Sequence, residues 1–193
     1  VLAGGKSQRF GEDKSQVKLG DKLLIDYILS EVIEEFKEIL VVSNSLIDFK
    51  KSEKITVIED IKKNLGPLGG VLTAMKWIKD NNKDYKWIST FPADTPFFKR
   101  SILQKFLQDI QLDESKLFFI KSNNTRHNIF GLWSIDLMDK LEEDLNKGER
   151  KVEVWANSIG VKIINIEFQN EDPFLNINTK EDLEKAKDRL KND

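Results

Sequence analysis

The sequence predicts an α/β fold in which helices flank a mostly parallel sheet, and three observations lead to this prediction. Strand-like segments alternate with segments that carry the apolar spacing of helices along most of the chain. The sequence contains no internal repeat, and no long or low-complexity linker divides it into separate parts. Hydrophobic residues make up 39% of the 193 residues, which is enough for one sizeable core. We therefore expect a single domain over residues 1–193.

Four strands are predicted in the first half of the chain. The first ends at Val1–Ala3, and because Val1 already lies within it, we expect that residues precede it. The segment 23–36 is predicted to be an amphipathic helix, since apolar residues recur at every fourth position, at Leu24, Ile28, Val32 and Phe36. The remaining strands are expected at 38–42, 54–58 and 85–91, and a helix at 71–79.

The second half of the chain continues the alternation. A helix near 101–107 is followed by strands at 117–120 and 128–133 and by a helix at 135–145, which stops before Gly148. A short helix at 152–159 and an alternating strand at 161–168 come next. Thr179 is predicted to begin the last helix, because Asp182 stands three residues later, as in a capping box.

Candidate functional residues follow four of the predicted strands. They are Gly4, Asn44, Asp60 and Asp94. Open α/β sheets bind their ligands in the crevice beyond the carboxyl ends of the strands. We therefore expect these four loops to converge on one edge of the sheet.

The composition excludes several classes of protein. Charged residues make up 33% of the chain but nearly cancel to a net charge of −2, which argues against a general nucleic-acid or membrane-surface binder. The absence of cysteine excludes disulfides, cysteine-ligated zinc and thiol catalysis, and a single histidine excludes a His-rich metal site. No apolar stretch approaches the roughly 20 residues of a membrane span, and no signal peptide is visible, so we expect a cytoplasmic protein.

The loop after the first strand has the features of a triphosphate site. Gly4 and Gly5 lack side chains, so their backbone N–H groups can approach an anion closely, and Lys6, Arg9 and Lys14 add positive charge. Gly5-Lys6-Ser7 also resembles the end of a P-loop. That alternative is disfavoured because Gly11 interrupts the turn in which the P-loop helix would begin.

Acidic and amide side chains in the other loops suit the rest of a nucleotide. Asp94 lies between two prolines, just after a buried strand. Its carboxylate could bind Mg²⁺ that bridges phosphate oxygens. Asn44 and Asp60 could contact the base or the ribose. Asp and Asn are also common turn formers after strands, so their types alone leave both roles open.

Five motifs together resemble the molybdenum cofactor guanylyltransferase family over nearly the whole chain. The first loop alone, from Leu2 to Lys14, is typical of the wider nucleotidyltransferase superfamily. The other four motifs make the resemblance specific and occur in the family's order at 66–70, 93–97, 148–152 and 174–183. The resemblance implies a Rossmann-like domain of the nucleotide-diphospho-sugar transferase type, with a nucleotide-binding N-terminal part and an acceptor-binding C-terminal part.

The resemblance also implies a reaction and a set of site residues. GTP would be the donor and molybdopterin the acceptor, with Mg²⁺ as cofactor, and other molybdenum cofactor proteins are conceivable partners. Lys14 and Asp94 would be catalytic, with Asp94 as the metal ligand. Nucleotide binding would fall to Leu2, Ala3, Gly4, Gly5, Lys14, Asn44, Asp60 and Asp94. Acceptor binding would fall to Arg126, Arg150, Lys151, Asn176 and Asn178.

The sequence departs from the family pattern at two positions. Phe10 replaces a common methionine, which is a tolerable apolar exchange. Asn128 follows His127 where proline is common, so a structural role is favoured for His127. Two other functions stay open: a related nucleotidyltransferase that uses CTP or a sugar-phosphate acceptor, and a non-catalytic GTP-binding protein that delivers the cofactor.

Overall fold

The computed structural model describes residues 1–4, 17–45, 47, 52–61, 64–110, 114–168 and 171–192. The strands are β1 Lys18–Leu19, β2 Lys22–Leu23, β3 Ile39–Val42, β4 Ile55–Ile58, β5 Trp87–Thr90, β6 Leu117–Ser122, β7 Thr125–Ser134 and β8 Lys162–Asn165. The helices are α1 Leu24–Val32, α2 Pro67–Asp80, α3 Arg100–Asp109, α4 Met138–Asn146, α5 Val152–Ile159 and α6 Lys180–Asn192, and a 3₁₀ helix at Ile135–Leu137 leads into α4.

The first residues of the chain join two parts of the sheet. Leu2 forms parallel bridges with Val42 at the end of β3 and with Pro92 just after β5. The backbone N–H of Leu2 donates to Phe91 at 2.8 Å, and that of Ala3 donates to Val42 at 2.9 Å. The order across the sheet is therefore β4, β3, residues 1–3, β5, β7, β6 and β8. This arrangement confirms the predicted α/β class.

The sheet is mostly parallel, as predicted, but β7 is antiparallel to both of its neighbours. β6 and β7 are joined by only two residues, Asn123 and Asn124, whose φ values of 43° and 65° lie in the left-handed region. Such turns match the twist of an antiparallel hairpin, and asparagine tolerates them better than most residues. The beginning of β7 consequently lies at the carboxyl edge of the parallel strands.

Hydrophobic side chains cover both faces of the sheet. Along β6, Phe118 and Ile120 join the core that contains α1 and α3, whereas Leu117 and Phe119 join the core that contains α2, α4 and α5. This alternation follows from the two-residue period of a strand, and burial on both faces is typical of sheets covered by helices. Helices therefore bury both faces of the sheet, and the ends of the strands are left to form a functional site.

Several predicted boundaries differ from the structure. α1 ends at Val32 rather than 36, and β8 covers four of the eight residues predicted as a strand. The hairpin of β1 and β2 was not predicted, since its two strands have only two residues each. The segment 135–145 and Gly148 behave as predicted, because α4 ends at Asn146 and Gly148 has φ of 102°.

α2 begins at Pro67, four residues before the predicted start. Proline suits the first helical position because its missing N–H has no partner there. Gly66 precedes it with φ of 67° and ψ of −164°, a conformation that is accessible almost only to glycine. The glycine-rich run is thus partly helical rather than a loop. Among the described residues, no helix is both long and apolar enough to cross a membrane.

Candidate active site at the carboxyl edge of the sheet

Four adjacent strands place the predicted nucleotide residues side by side. Gly4 follows the first strand, Asn44 follows β3, Asp60 follows β4, and Asp94 follows β5. A Cβ atom on Gly4 would lie 3.9 Å from the side-chain nitrogen of Asn44, so these two loops are in contact. The expected convergence on one edge is therefore found. Gly5 and Lys14 lie outside the described residues.

The first strand limits how Leu2 and Ala3 could contact a nucleotide. Their backbone N–H groups donate to Phe91 and Val42, and the carbonyl of Leu2 accepts from Ala93 at 3.1 Å. These backbone groups already form hydrogen bonds within the sheet and are not available to a nucleotide. Gly4 is exposed and follows directly, so its backbone is better placed than theirs to meet a phosphate.

Asp60 is half-buried and is held by α2. The hydroxyl of Thr73, which is buried, donates to Asp60 Oδ1 at 2.8 Å and accepts from the backbone N–H of Ile61 at 3.1 Å. A Cβ atom on Gly69 would lie only 3.5 Å from the same carboxylate oxygen. The carboxylate therefore rests against the first turns of α2 in a defined orientation.

Asp94 is joined to a segment that lies about eighty positions away in the sequence. The backbone N–H of Ile177 donates to the carbonyl of Asp94 at 2.9 Å. Next to it, the hydroxyl of the fully buried Thr95 donates to Asn176 Oδ1 at 2.7 Å. Asn176 and Asn178 are both exposed, on either side of the buried Ile177. The structure thus brings the Asn-x-Asn motif beside the predicted metal ligand.

Arg150 and Lys151 lie at the beginning of α5. The carboxylate of Glu149 accepts from the backbone N–H groups of Arg150 at 2.7 Å and Lys151 at 2.8 Å. These two hydrogen bonds hold the pKa of Glu149 below its ordinary value. The guanidinium of Arg150 donates to the carbonyl of Leu145 at 2.6 Å, in the last turn of α4. A Cβ atom on Gly66 would lie 3.8 Å from the Arg150 carbonyl, so this motif adjoins the glycine-rich loop.

Arg126 also lies at this edge, because it is the second residue of the antiparallel β7. Its guanidinium donates to Asn128 Oδ1 at 2.6 Å and to Asn157 Oδ1 at 2.7 Å, and lies 3.5 Å from a carboxylate oxygen of Glu153. The side chain is only 18% exposed. These contacts fasten α5 to β7, so any acceptor contact by Arg126 would be made from a guanidinium already engaged on three sides.

His127 has the surroundings of a structural residue. Its ring stacks on Phe174 with centroids 4.0 Å apart, and its Nε2 lies 2.6 Å from the hydroxyl oxygen of Ser122. Burial lowers the pKa of His127 below its ordinary value, although the charge of Asp172 opposes this shift. The packing agrees with the predicted structural role.

The described residues fit a magnesium ion that arrives with its nucleotide. They contain no group of three or more His, Asp or Glu side chains that could hold a metal on their own. Mg²⁺ is commonly bound by one or two carboxylates together with substrate phosphates and water. The half-buried carboxylate of Asp94 at the strand edge suits such a site.

Three residues of this region were missed in the sequence. Thr73 and Thr95 hold Asp60 and Asn176, and Glu149 accepts from the backbone N–H groups of the two residues before α5. Thr95 could have been suspected from its position next to Asp94. Thr73 gives no local signal, because only the packing of α2 brings it to Asp60.

Known proteins share both the sequence pattern and the fold. A family model described as the MobA-like NTP transferase domain matches residues 1–159. A molybdenum cofactor guanylyltransferase of Haemophilus influenzae is 31% identical over 189 residues, covering 96% of this chain and 95% of that protein. The crystal structure of molybdopterin-guanine dinucleotide biosynthesis protein A from Archaeoglobus fulgidus has a TM-score of 0.76 at 21% identity, covering 100% and 97% of the two chains.

A more distant structure shares the fold alone. The 4-diphosphocytidyl-2C-methyl-D-erythritol synthase of Anaerococcus prevotii has a TM-score of 0.73 at 14% identity, covering 98% of this chain and 93% of that one. At that identity the fold does not distinguish between substrates. The family model and the guanylyltransferase relative, each spanning most of the chain, do identify the family. The chain belongs to the MobA-like NTP transferase family.

Proposed function

We propose that this protein transfers GMP from GTP to molybdopterin, with or without bound molybdenum, to form the guanine dinucleotide cofactor and pyrophosphate. The observation that carries this proposal is the junction of Asp94 with Asn176 and Ile177. This junction supports the proposal because the loop of Asp94, a predicted nucleotide and metal residue, contacts the segment that carries Asn176, a predicted acceptor residue. The named activity of the Haemophilus influenzae relative supports the choice of substrates.

The reaction needs positioning and charge neutralisation more than acid–base chemistry. The terminal phosphate of molybdopterin is anionic near pH 7, so it can attack without a general base. One of its oxygens forms a bond to the α-phosphorus of GTP while the bond to the departing pyrophosphate breaks. The barrier arises largely from repulsion between the two anions, which an active site lowers by alignment and by positive charge.

The chain divides these tasks among its loops. Lys14 would neutralise the triphosphate, and the backbone N–H groups of Gly4 and Gly5 would receive the pyrophosphate oxygens. Asp94 would hold Mg²⁺, which when bound offsets phosphate charge. Asn44 and Asp60 would contact the guanosine, for which the orientation of the Asp60 carboxylate by Thr73 gives a physical basis.

The acceptor would lie on the side of the C-terminal motifs. The exposed side chains of Arg150 and Lys151 supply positive charge, and Asn176 and Asn178 supply amide groups beside Asp94. Of these four residues, Asn176 is the one whose side chain contacts the Asp94 loop, through Thr95. In-line attack requires an acceptor phosphate held there to approach the α-phosphorus from the side opposite to the departing pyrophosphate.

The proposal is tested by measuring pyrophosphate release from the purified protein with Mg²⁺, molybdopterin and each nucleotide in turn. We expect release with GTP and little with CTP or ATP. Asp94→Asn should lower release by at least 100-fold, on the order of the loss when one charge-stabilising group is removed. Asp136→Asn is the matched control, since Asp136 is an exposed aspartate paired with Lys116 outside the site.

The other outcomes either indicate a rival function or remove a residue from the proposed site. Release with CTP, or with a sugar phosphate in place of molybdopterin, would indicate a related nucleotidyltransferase. Tight GTP binding without release would indicate a protein that binds or delivers the cofactor. Full activity of Asp94→Asn at saturating Mg²⁺ would remove Asp94 from metal binding.

A further inference from the structure

Thr95 makes a contact that the proposed chemistry does not use. Its side chain is fully buried, and its hydroxyl donates to the Oδ1 atom of the exposed Asn176 at 2.7 Å. The same hydroxyl oxygen lies 3.4 Å from Asp94 Oδ1. A buried hydroxyl is costly without a partner, and here its partner is an amide at the edge of the active site.

The hydrogen bond from Thr95 gives the side-chain amide of Asn176 a defined orientation. An asparagine side chain has one oxygen acceptor and one nitrogen with two N–H donors. Because the oxygen is held by Thr95 from inside the protein, the N–H donors face away from it. Asn176 is exposed at the carboxyl edge, so these donors are available to an anionic ligand there.

The backbone of this segment is fixed by other contacts. The N–H of Ile177 donates to the Asp94 carbonyl at 2.9 Å, and the Ile177 side chain is fully buried in a cluster with Val17, Leu19 and Phe97. The segment would therefore keep its place without the Thr95 hydroxyl. The specific effect of that hydroxyl is on the orientation of the Asn176 side chain.

We infer that Thr95 is a positioning residue, which orients the amide of Asn176 so that its N–H donors bind the acceptor phosphate beside Asp94. This inference rests on the proposed function for the identity of the acceptor. Thr95 belongs to the Asp94 loop on the nucleotide side of the site, and its hydroxyl connects this loop to Asn176 on the acceptor side. Thr95 itself touches neither substrate.

Kinetics of a hydroxyl deletion test this role. Thr95→Val keeps the shape of the side chain and removes the hydrogen bond. We expect KM for molybdopterin to rise about five- to tenfold, as for the loss of one positioned hydrogen bond, while KM for GTP stays unchanged. Thr95→Ser should restore the wild-type KM because it keeps the hydroxyl.

Two controls separate positioning from a general loss of structure. Thr90 is a buried threonine in β5 whose oxygen accepts from the indole of Trp133 at 2.8 Å. Thr90→Val should lower the thermal stability without changing either KM. In the Asn176→Ala background, Thr95→Val should have no further effect on KM for molybdopterin, because the amide that Thr95 orients is absent. An additional fivefold rise there would overturn the inference.

A spectroscopic measurement tests the inference without any turnover. The side-chain ¹⁵N–¹H₂ signals of Asn176 can be assigned by their loss in Asn176→Ala. In Thr95→Val they should move toward the positions of a freely exposed asparagine, and in Thr95→Ser they should not. Unchanged signals in Thr95→Val would overturn the positioning role. An inactive wild-type protein with the expected signal changes would instead refute the proposed function and leave the orientation by Thr95 supported.

Discussion

Two buried threonines orient polar side chains of the candidate site. Thr73 hydrogen-bonds to Asp60, and Thr95 hydrogen-bonds to Asn176. In each pair the threonine is inside the protein and its partner is at the rim of the site. A short side chain with one hydroxyl has few rotamers, so it can fix a neighbour with little loss of its own freedom. Such support is what holds a binding group in a productive geometry.

His127 should make the stability of the protein depend on pH. Burial lowers its pKa in the folded state below the ordinary 6.5, with Asp172 opposing the shift. The unfolded chain therefore binds a proton at a higher pH than the folded protein does. The contribution of neutral His127 to the free energy of unfolding is fully present above pH about 6.5. It decreases as the pH falls from there toward the pKa of His127 in the folded state.

The pH dependence of the melting temperature checks this prediction. The wild type should lose more stability between pH 7 and pH 5 than His127→Gln, which cannot be protonated and can still hydrogen-bond to Ser122. Other titrating groups contribute equally to both proteins, so the difference between the two curves isolates His127. Parallel curves would show that His127 does not titrate differently on folding.

α2 shows how glycine allows a helix to approach other parts of the chain closely. A Cβ atom on Gly69 would lie 2.6 Å from Cβ of Leu65, and one on Gly70 would lie 2.8 Å from Cδ2 of Leu2. Both distances are too short for real atoms. The glycines thus permit the first turns of α2 to pack against the first strand and against the loop before the helix. That packing also places Thr73 within reach of Asp60.

Gly69→Ala should destabilise the protein although alanine is the better helix former. Alanine gains about 1 kcal/mol of helix propensity over glycine. The clash with Leu65 involves a Cβ atom, which cannot rotate away, and overpacking of this kind costs about 1–3 kcal/mol. We expect a net loss of up to about 2 kcal/mol, measured by urea unfolding.

Gly70→Ala is the matched comparison for this effect. Its clash is with the end of the Leu2 side chain, which can move by rotation. Its loss of stability should therefore be smaller than that of Gly69→Ala. If Gly69→Ala is as stable as the wild type, the close packing of α2 on Leu65 does not constrain this position.

The whole sheet brings together residues that are far apart in the chain. Asp94 is followed by more than eighty residues before Asn176 and Ile177, and the two segments meet at the carboxyl edge. The antiparallel β7 places Arg126 at this edge as well. An unfolded chain cannot present these groups together. A ligand of the site should therefore bind only the folded protein and stabilise it.

GTP should raise the melting temperature more than CTP. At 100 times its dissociation constant a ligand adds about 2.7 kcal/mol to the stability of the folded state. For a chain of this size that corresponds to a shift of about 5–10 °C. Thermal melts with Mg²⁺ and equal concentrations of the two nucleotides check the prediction. Asp60→Ala should reduce the difference between the nucleotides, and an unchanged difference would exclude Asp60 from base recognition.

The sequence by itself determined the fold class, most of the elements and the loops that carry the candidate site. Periodicity suffices for this because burial on one or two faces selects apolar residues at regular positions. It predicted α5 at 152–159 and the Thr179–Asp182 capping box, which the structure contains, with Asp182 N–H donating to Thr179 Oγ1 at 3.1 Å. Local chemistry also singled out Asp94, whereas the residue types of Asn44 and Asp60 left their roles open.

Only the tertiary structure decided which of these groups meet and what holds them. The pairing of β7 with β5 and the contacts of Thr73 and Thr95 depend on residues distant in sequence. No local pattern encodes such pairings, since they arise when whole elements pack. The same packing committed the backbone of Leu2 to the sheet and the guanidinium of Arg126 to α5. A side chain's type shows what it can bind, and its neighbours in the fold determine what it is available to bind.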